Sequence, residues 1–497
     1  MEDQSTLYLR IGRTLADGIR SGTLQRGERL PSVRALARQH AVSLATAVQA
    51  YRWLEDSRLV QARPRSGYFV AARTPALPEP ETTQPPTESR AVDLGSLAAQ
   101  VMRLAHEPGY LSFGAACPSS ELFDEERVRR AVARAVQRHR RTLCEYPTHT
   151  GHETLRRSIA RHALHMGCSL DARQVIVTNS CLESITLCLR ATTRPGDVVA
   201  LESPTYFGFL EILQNLHLRA LEIPTHPRHG LSLDALQLAF ETQPVKAVLA
   251  VPTLSNPLGA CMPQAERRRL AQMVAAQGVP LIEDVLYNSL AEQDDKRRAV
   301  RSFDITGHVM LCGSFSKTVA PGLRLGWLDG GRWTEPLRRL KQATSGGHTT
   351  LLELALADLI TQPGHESGHR QLRGTIAGRV DEARGLVARW FPRGTRVTDP
   401  PGGFILWVEL PPAVDANALF HAALAEGICI APGTHVQRQR SLPHCIRLGV
   451  GGRWGEGHRQ ALRRLGELAG GLLAAAAAEA AAGTTPATPD RVLTTEG

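Results

Sequence analysis

The chain is 497 residues long, enough for about three domains, and 42% of it is hydrophobic, ample for large cores. No run of 18 apolar residues exists, so no membrane-spanning helix is predicted, and the polar start Met1-Glu2-Asp3-Gln4 does not read as a signal peptide. Nine scattered cysteines with no Cys-x-x-Cys pair argue for a reducing cytoplasm and against a structural metal, while the formal net charge of +10 admits an anionic partner.

Residues 1–73 hold 12 Arg against 6 Asp+Glu. Leu7, Ile11, Leu15 and Ile19 recur at helical spacing. A turn-rich passage then ends at Pro31, which suits a helix start, and Ser32–Gln39 reads as a short helix. His40-Ala41-Val42 is a turn, and Ser43 caps a longer helix to about Asp56 with Val48, Tyr51 and Leu54 inward. Leu59–Arg63 and Tyr68–Val70, joined at Pro64-Arg65-Ser66-Gly67, read as a β-hairpin. Two helices joined by a short turn and followed by a hairpin make a winged helix-turn-helix, a reader of double-stranded DNA. Its second helix would enter the major groove with Ser43, Ala45 and Thr46. Arg65, Ser66 and Gly67 at the wing tip would approach a phosphate or the minor groove, and Arg34 would hold the backbone. Leu-Pro-Ser-x-Arg at Leu30, Val-Ser-x-x-Thr at Val42 and Arg-Pro-x-Ser-Gly-Tyr-Phe-Val at Arg63 resemble the GntR family of bacterial regulators. Leu44 stands where many relatives carry arginine, which implies fewer contacts or a different operator preference.

Residues 74–92 read as a semi-rigid, solvated linker, with five prolines and no aromatic residue between Thr74 and Ser89. An α/β pattern occupies 93–470. Three short apolar runs in it end in polar residues. Ala247-Val248-Leu249 leads to Asn256-Pro257-Leu258-Gly259, Leu281-Ile282 to Asp284 and Tyr287, and Val309-Met310-Leu311 to Ser314-Phe315-Ser316-Lys317. Ligands of open α/β sheets bind at such strand ends. Only Lys246, Lys296, Lys317 and Lys341 are lysines among 58 Lys+Arg, so arginine serves wherever a plain charge suffices. A lysine kept between serines and Arg324 is a candidate for Schiff-base chemistry, which a guanidinium cannot perform. Pyridoxal 5'-phosphate needs this inventory: a carboxylate for its ring nitrogen, donors for its phenolate oxygen, and donors with a cation for its phosphate.

Asn-Pro-x-Gly, Asp-x-x-Tyr and Ser-x-Ser-Lys, with an arginine seven residues on, resemble the fold type I pyridoxal-phosphate enzymes of the aspartate aminotransferase superfamily. The resemblance implies that Lys317 carries the cofactor and Asp284 pairs with the pyridine nitrogen. Asn256 and Tyr287 would contact the phenolate oxygen, and Ser314, Ser316 and Arg324 the phosphate. Tyr206 would stack on the ring, Tyr146 would reach a partner subunit's phosphate, and Arg447 would clamp a substrate α-carboxylate. The phosphate loop departs from the family. Ser180 and Leu182 stand where glycine and glutamine are common, although the amides of Ser180 and Cys181 at a helix start can still serve an anion.

A GntR-like winged helix joined to an aminotransferase-like domain, with a large α/β part and a small α+β part, resembles the MocR subgroup of GntR regulators. That resemblance implies a cytoplasmic homodimer whose DNA binding responds to pyridoxal phosphate or to an amino-acid-like effector. The motifs also admit an aminotransferase whose front domain serves assembly, or a regulator that performs half a transamination while sensing. Residues 471–497 read as an alanine-rich stretch that extends the last helix, then a disordered tail from Thr484.

Overall fold

A computed structural model describes residues 4–20, 23–25, 27–57, 59–63, 66–71, 77–92, 97–105, 107–433 and 442–482. At the front, helices span Gln4–Arg20, Val33–Gln39 and Leu44–Asp56. Serines start the latter two: Ser32 Oγ accepts the Ala35 N–H at 3.2 Å, and Ser43 Oγ accepts that of Thr46 at 3.1 Å. Ala41 turns the chain between them in the left-handed region, at φ 51°. Strands Val60–Arg63 and Gly67–Val70 form the antiparallel wing, with Arg63 opposite Gly67. Gly67 has φ 98°, which this tip requires and a side chain would resist. The Tyr51 ring stacks on Tyr68 at 4.1 Å, joining the longer helix to the wing over a core that includes Ile11, Leu36 and Leu54.

The predicted solvated linker is not what the described residues adopt. Between Pro78 and Ala91 the chain is docked at several points, while Gln84 and residues 86–88 stay exposed. Pro78 O accepts the Val397 N–H at 3.0 Å, and Glu79 pairs with Arg228. Thr83 Oγ1 donates to Ser203 O, and Arg90–Ala91 adds an edge strand beside Arg219–Ala220. Polar and proline-rich composition predicts solvation, but several of these residues supply hydrogen bonds to a folded surface.

The main sheet runs, in spatial order, Arg90–Ala91, Arg219–His226, Val198–Ser203, Val245–Ala250, Leu281–Asp284, Val309–Ser314, Gly326–Asp329, Val175–Thr178. The five strands from Arg219–His226 to Val309–Ser314 are parallel, while Gly326–Asp329 runs antiparallel to both neighbours. Residues of the central strands are buried almost throughout, which explains their unbroken apolar runs. The three strands that carry Asn256, Asp284 and Lys317 at their ends are consecutive, so one rim holds all three.

A smaller antiparallel sheet, ordered Arg396–Val397, Ile405–Glu409, Cys445–Gly449, Ala431–Pro432, packs against helices His365–Trp390, Ala416–Ala425 and Glu456–Ala482. Ile446 and Leu448 enter this core, and alternation turns Arg447 to the opposite face. The last helix continues through the alanine run to Ala482; the tail beyond it lies outside the described residues.

Candidate functional site

A cavity of ≈ 150 Å³ lies at the rim where the three strands end. Asn256, Asp284, Tyr287, Ser314, Ser316, Lys317, Arg324, Arg447, Tyr206, Ser180 and Cys181 all line it. Tyr146 does not: it is fully exposed and absent from the lining, a placement that leaves its side chain to solvent or another subunit.

Lys317 follows strand Val309–Ser314 and donates from Nζ to Ala116 O at 2.6 Å and to Cys117 Sγ at 3.4 Å. No sequence signal marked Ala116 and Cys117, which lie about two hundred residues upstream and reach the site only through the fold. Asp284 is 5% exposed. Its Oδ1 accepts the Leu286 N–H at 2.8 Å and the Cys181 thiol at 3.3 Å. Burial pushes this carboxyl up to about 6, against the pull of those donors and of Lys317. Buried Glu202, also missed in the sequence, is pushed up to about 8 by burial and by repulsion from Asp284, despite accepting the Val251 N–H.

Ser314 Oγ and Ser316 Oγ lie 2.8 Å apart. Arg324 holds the left-handed conformation at φ 51°, unusual for a side chain other than glycine and of the kind that clusters at ligand sites. The strand that follows presses on the opposite loop: a Cβ on Gly326 would lie 2.5 Å from the Ser180 carbonyl carbon. This approach needs glycine, and it sets Arg324 beside the helix start at Ser180, whose Oγ accepts the Glu183 N–H at 3.2 Å. Helix amides, two hydroxyls and a guanidinium thus share one corner.

Arg447 closes the other side. It is 1% exposed, donates from Nη1 to Asn256 Oδ1 at 3.3 Å and from Nη2 to Gly114 O, and its Nε has no partner among the described residues. A buried donor of this kind is costly until an acceptor meets it. Burial lowers the guanidinium's pKa. Three cationic side chains, Lys317, Arg324 and Arg447, thus line the cavity with the carboxyl of Asp284. That surplus of positive charge suits an anionic ligand such as a phosphate monoester or a carboxylate. Tyr287 is buried, and Tyr206 packs edge-on against Phe209 at 5.5 Å, leaving aromatic surface at the mouth.

The DNA-facing residues fare differently. Arg34 is exposed on its helix, and Ser66 and Gly67 sit at the wing tip. Arg65 lies outside the described residues. Thr46, predicted to face DNA, is 7% exposed, and its Oγ1 lies 2.8 Å from Ser43 Oγ. Both hydroxyls therefore belong to the helix cap. Ser43 and Ala45 are exposed as predicted, and so are Leu44 and Gln49. Gln49 lies one turn after Ala45 on the face opposite Ala47, Tyr51 and Leu54, a placement the helical spacing makes readable.

Comparison with known proteins agrees with both halves. The family "Aminotransferase class I and II" matches residues 117–465, and "Bacterial regulatory proteins, gntR family" matches 7–70. The HTH-type transcriptional regulator YjiR of Escherichia coli K12 is 34% identical over 463 residues, covering 93% of this chain and 98% of YjiR. The chain belongs to the MocR-like GntR regulators. YdcR of the same organism is 31% identical over 93% of this chain and 98% of its own length. The crystal structure of LysN, an α-aminoadipate aminotransferase from Thermus thermophilus, superposes with a TM-score of 0.69 at 27% identity. The match covers 77% of this chain and 98% of LysN, which was crystallised in complex with N-(5'-phosphopyridoxyl)-L-leucine. This MocR-like chain therefore joins a GntR helix-turn-helix to an aminotransferase domain whose fold relatives are pyridoxal-phosphate-dependent. Among its described residues, no helix is long and apolar enough to cross a membrane.

Proposed function

We propose that this protein is a cytoplasmic, homodimeric transcription factor that holds pyridoxal 5'-phosphate at Lys317 and changes its DNA binding when an amino-acid-like effector enters. The observation that carries this reading is one cavity uniting Lys317, Asp284, Asn256, Tyr287 and Arg447 in a chain that also bears a capped helix-turn-helix. Bound pyridoxal phosphate supplies an electron-accepting ring. Asp284 would hold its ring nitrogen, and a cation there would return the buried carboxyl to its charged form. Asn256 and Tyr287 would hold the phenolate oxygen. Ser314, Ser316, Arg324 and the helix start at Ser180 would hold the phosphate. Arg447 Nε, which has no acceptor among the described residues, suits one oxygen of an effector carboxylate. Exposed Tyr146 suits a reach to a partner subunit's site.

The aminotransferase reading keeps support from the same cavity and from the 2-aminoadipate transaminase of Thermus thermophilus, 29% identical over 76% of this chain. The two separate in one experiment. Full-length protein is titrated onto duplex DNA from upstream of its own gene, with and without pyridoxal phosphate, beside an amino-donor turnover assay. Cofactor-dependent affinity that disappears in Lys317→Ala supports regulation. Sustained turnover, with DNA affinity indifferent to cofactor, would establish the enzyme instead.

A further inference from the structure

A second cluster lies outside the cavity around Lys317, where the long helix His365–Trp390 begins. Its first residues are His365-Glu366-Ser367-Gly368-His369, so two imidazoles stand four apart on one helix face with a carboxylate beside the first. One ligand atom from each of His365, Glu366 and His369 lies within 4.8 Å of the others. The two rings are 4.1 Å apart between centroids. His365 is 9% exposed and His369 5%, and Nε2 of each is buried without a hydrogen-bond partner among the described residues. Buried polar atoms are nearly always paired, so two orphaned ring nitrogens within one helical turn need an explanation. Simple packing would favour apolar residues there.

From residues 153–166 come two further histidines. The His162 ring is 6.2 Å from that of His365, and His165 Nε2 is 3.7 Å from Glu366 Oε1. Glu366 and His165 are partly exposed and give the cluster an opening to solvent. Arg127, Arg297 and Arg373 also face the rings, and the helix start carries partial positive charge; both oppose a cation. Those guanidiniums donate to the carbonyls of Leu359, of Ala291 and Glu292, and of Ser289, respectively. Asp294 also pairs with Arg297, and Glu366 places a carboxylate within reach of the ring nitrogens.

We infer that His365, His369 and Glu366 form a binding site for a divalent transition-metal ion of the Zn²⁺ class, with His165 or His162 as a further ligand. Two imidazoles and a carboxylate match zinc's preference for nitrogen and oxygen donors. Ligand atoms around tetrahedral zinc are spaced by roughly 3.3 Å, so small side-chain rotations close the cluster onto the ion. The expectation drawn from cysteine spacing does not bear on this site, because its ligands are histidines on a helix. Occupancy would tie residues 162–165 to the helix that leads into the small domain. It would also act next to the cofactor loop, since His162 packs at 5.2 Å on Phe315, two residues before Lys317.

The test uses the full chain, stripped with a chelator and titrated with ZnCl₂ against a chromophoric competitor, with bound metal counted by mass spectrometry. Wild type should retain one Zn²⁺ per chain through gel filtration. His365→Gln/His369→Gln should weaken that equivalent by at least ~100-fold, and Glu366→Gln, at the surface and safe for folding, by ~10-fold. His229→Gln, in the separate His226–His229 pair, should leave it unchanged. The site is overturned if wild type retains no stoichiometric Zn²⁺. It is equally overturned if both Glu366→Gln and the double variant hold Zn²⁺ as tightly as wild type.

Discussion

A carboxyl raised from its ordinary 3.8 to about 6 by burial, as at Asp284, weakens the fold once it ionises. Its folded value exceeds the unfolded one, so its contribution to stability is complete below about pH 4 and is lost as pH rises through 6. A shift of about two units corresponds to roughly 3 kcal/mol. In protein stripped of pyridoxal phosphate, Asp284→Asn should therefore match wild type near pH 4 and exceed its stability by up to about 3 kcal/mol at pH 7.5. Urea melts at both pH values check this. With the cofactor present the order should reverse, because the amide cannot hold a protonated ring nitrogen. Lys317→Ala should keep its melting transition yet lose every borohydride-reducible adduct. Persistence of an adduct would move the linkage to Lys246, Lys296 or Lys341.

The helix Leu44–Asp56 begins on a cap built from two hydroxyls, Ser43 and Thr46. Ser43→Ala removes the acceptor of a helix N–H and should cost the front domain about 1 kcal/mol, seen as a lower urea midpoint. Under the proposed function, base reading would then fall to the exposed residues of the same helix. An amide side chain can pair with the adenine edge in the major groove. Gln49→Ala should alter preference among operator variants by ~1–3 kcal/mol at the contacted base pair. Arg34→Ala should weaken binding to all sequences alike and lower the salt dependence by about one phosphate contact. Competition binding on a panel of single-base operator variants distinguishes the two. An unchanged profile in Gln49→Ala would return base reading to the wing.

At the scale of the molecule, the docked linker touches both parts of the aminotransferase-like half. Pro78 and Glu81 hold Val397 and Arg396 of the small sheet, while Thr83 holds Ser203, three residues before Tyr206 of the cavity. Movement of the small domain upon effector binding would thus pull on the segment that leads to the DNA reader. Thr83→Ala should preserve DNA and cofactor affinity separately while reducing the effector's influence of one upon the other, since coupling requires an element biased by both sites. Fluorescence anisotropy with an operator duplex across an amino-acid titration measures it. The proposed dimer, with Tyr146 reaching the partner's site, makes a second demand. Lys317→Ala and Tyr146→Ala, each impaired in cofactor retention alone, should regain retention when mixed and allowed to exchange subunits. One site of the mixed dimer then holds both an intact Lys317 and its partner's intact Tyr146. No recovery after verified exchange would confine Tyr146 to its own subunit.

Local rules were enough to read the two halves. Capping serines, a three-residue turn and a hairpin announce the winged helix, because caps and turns depend on a few neighbouring residues. Apolar runs ending in Asn256, Asp284 and Lys317 announce the cavity, because parallel strands carry such residues to a common rim. What lay beyond local rules needed partners distant in sequence. Lys317 meets Ala116, Arg447 meets Gly114, and proline-rich residues 78–91 find a surface to bind. Burial likewise decided that Thr46 completes a cap while Gln49 faces outward, and it turned two spaced histidines into a pocket of orphaned nitrogens. Composition and periodicity record which residues prefer to leave water. Which polar group meets which is decided by tertiary packing, where each buried donor or acceptor must find its partner.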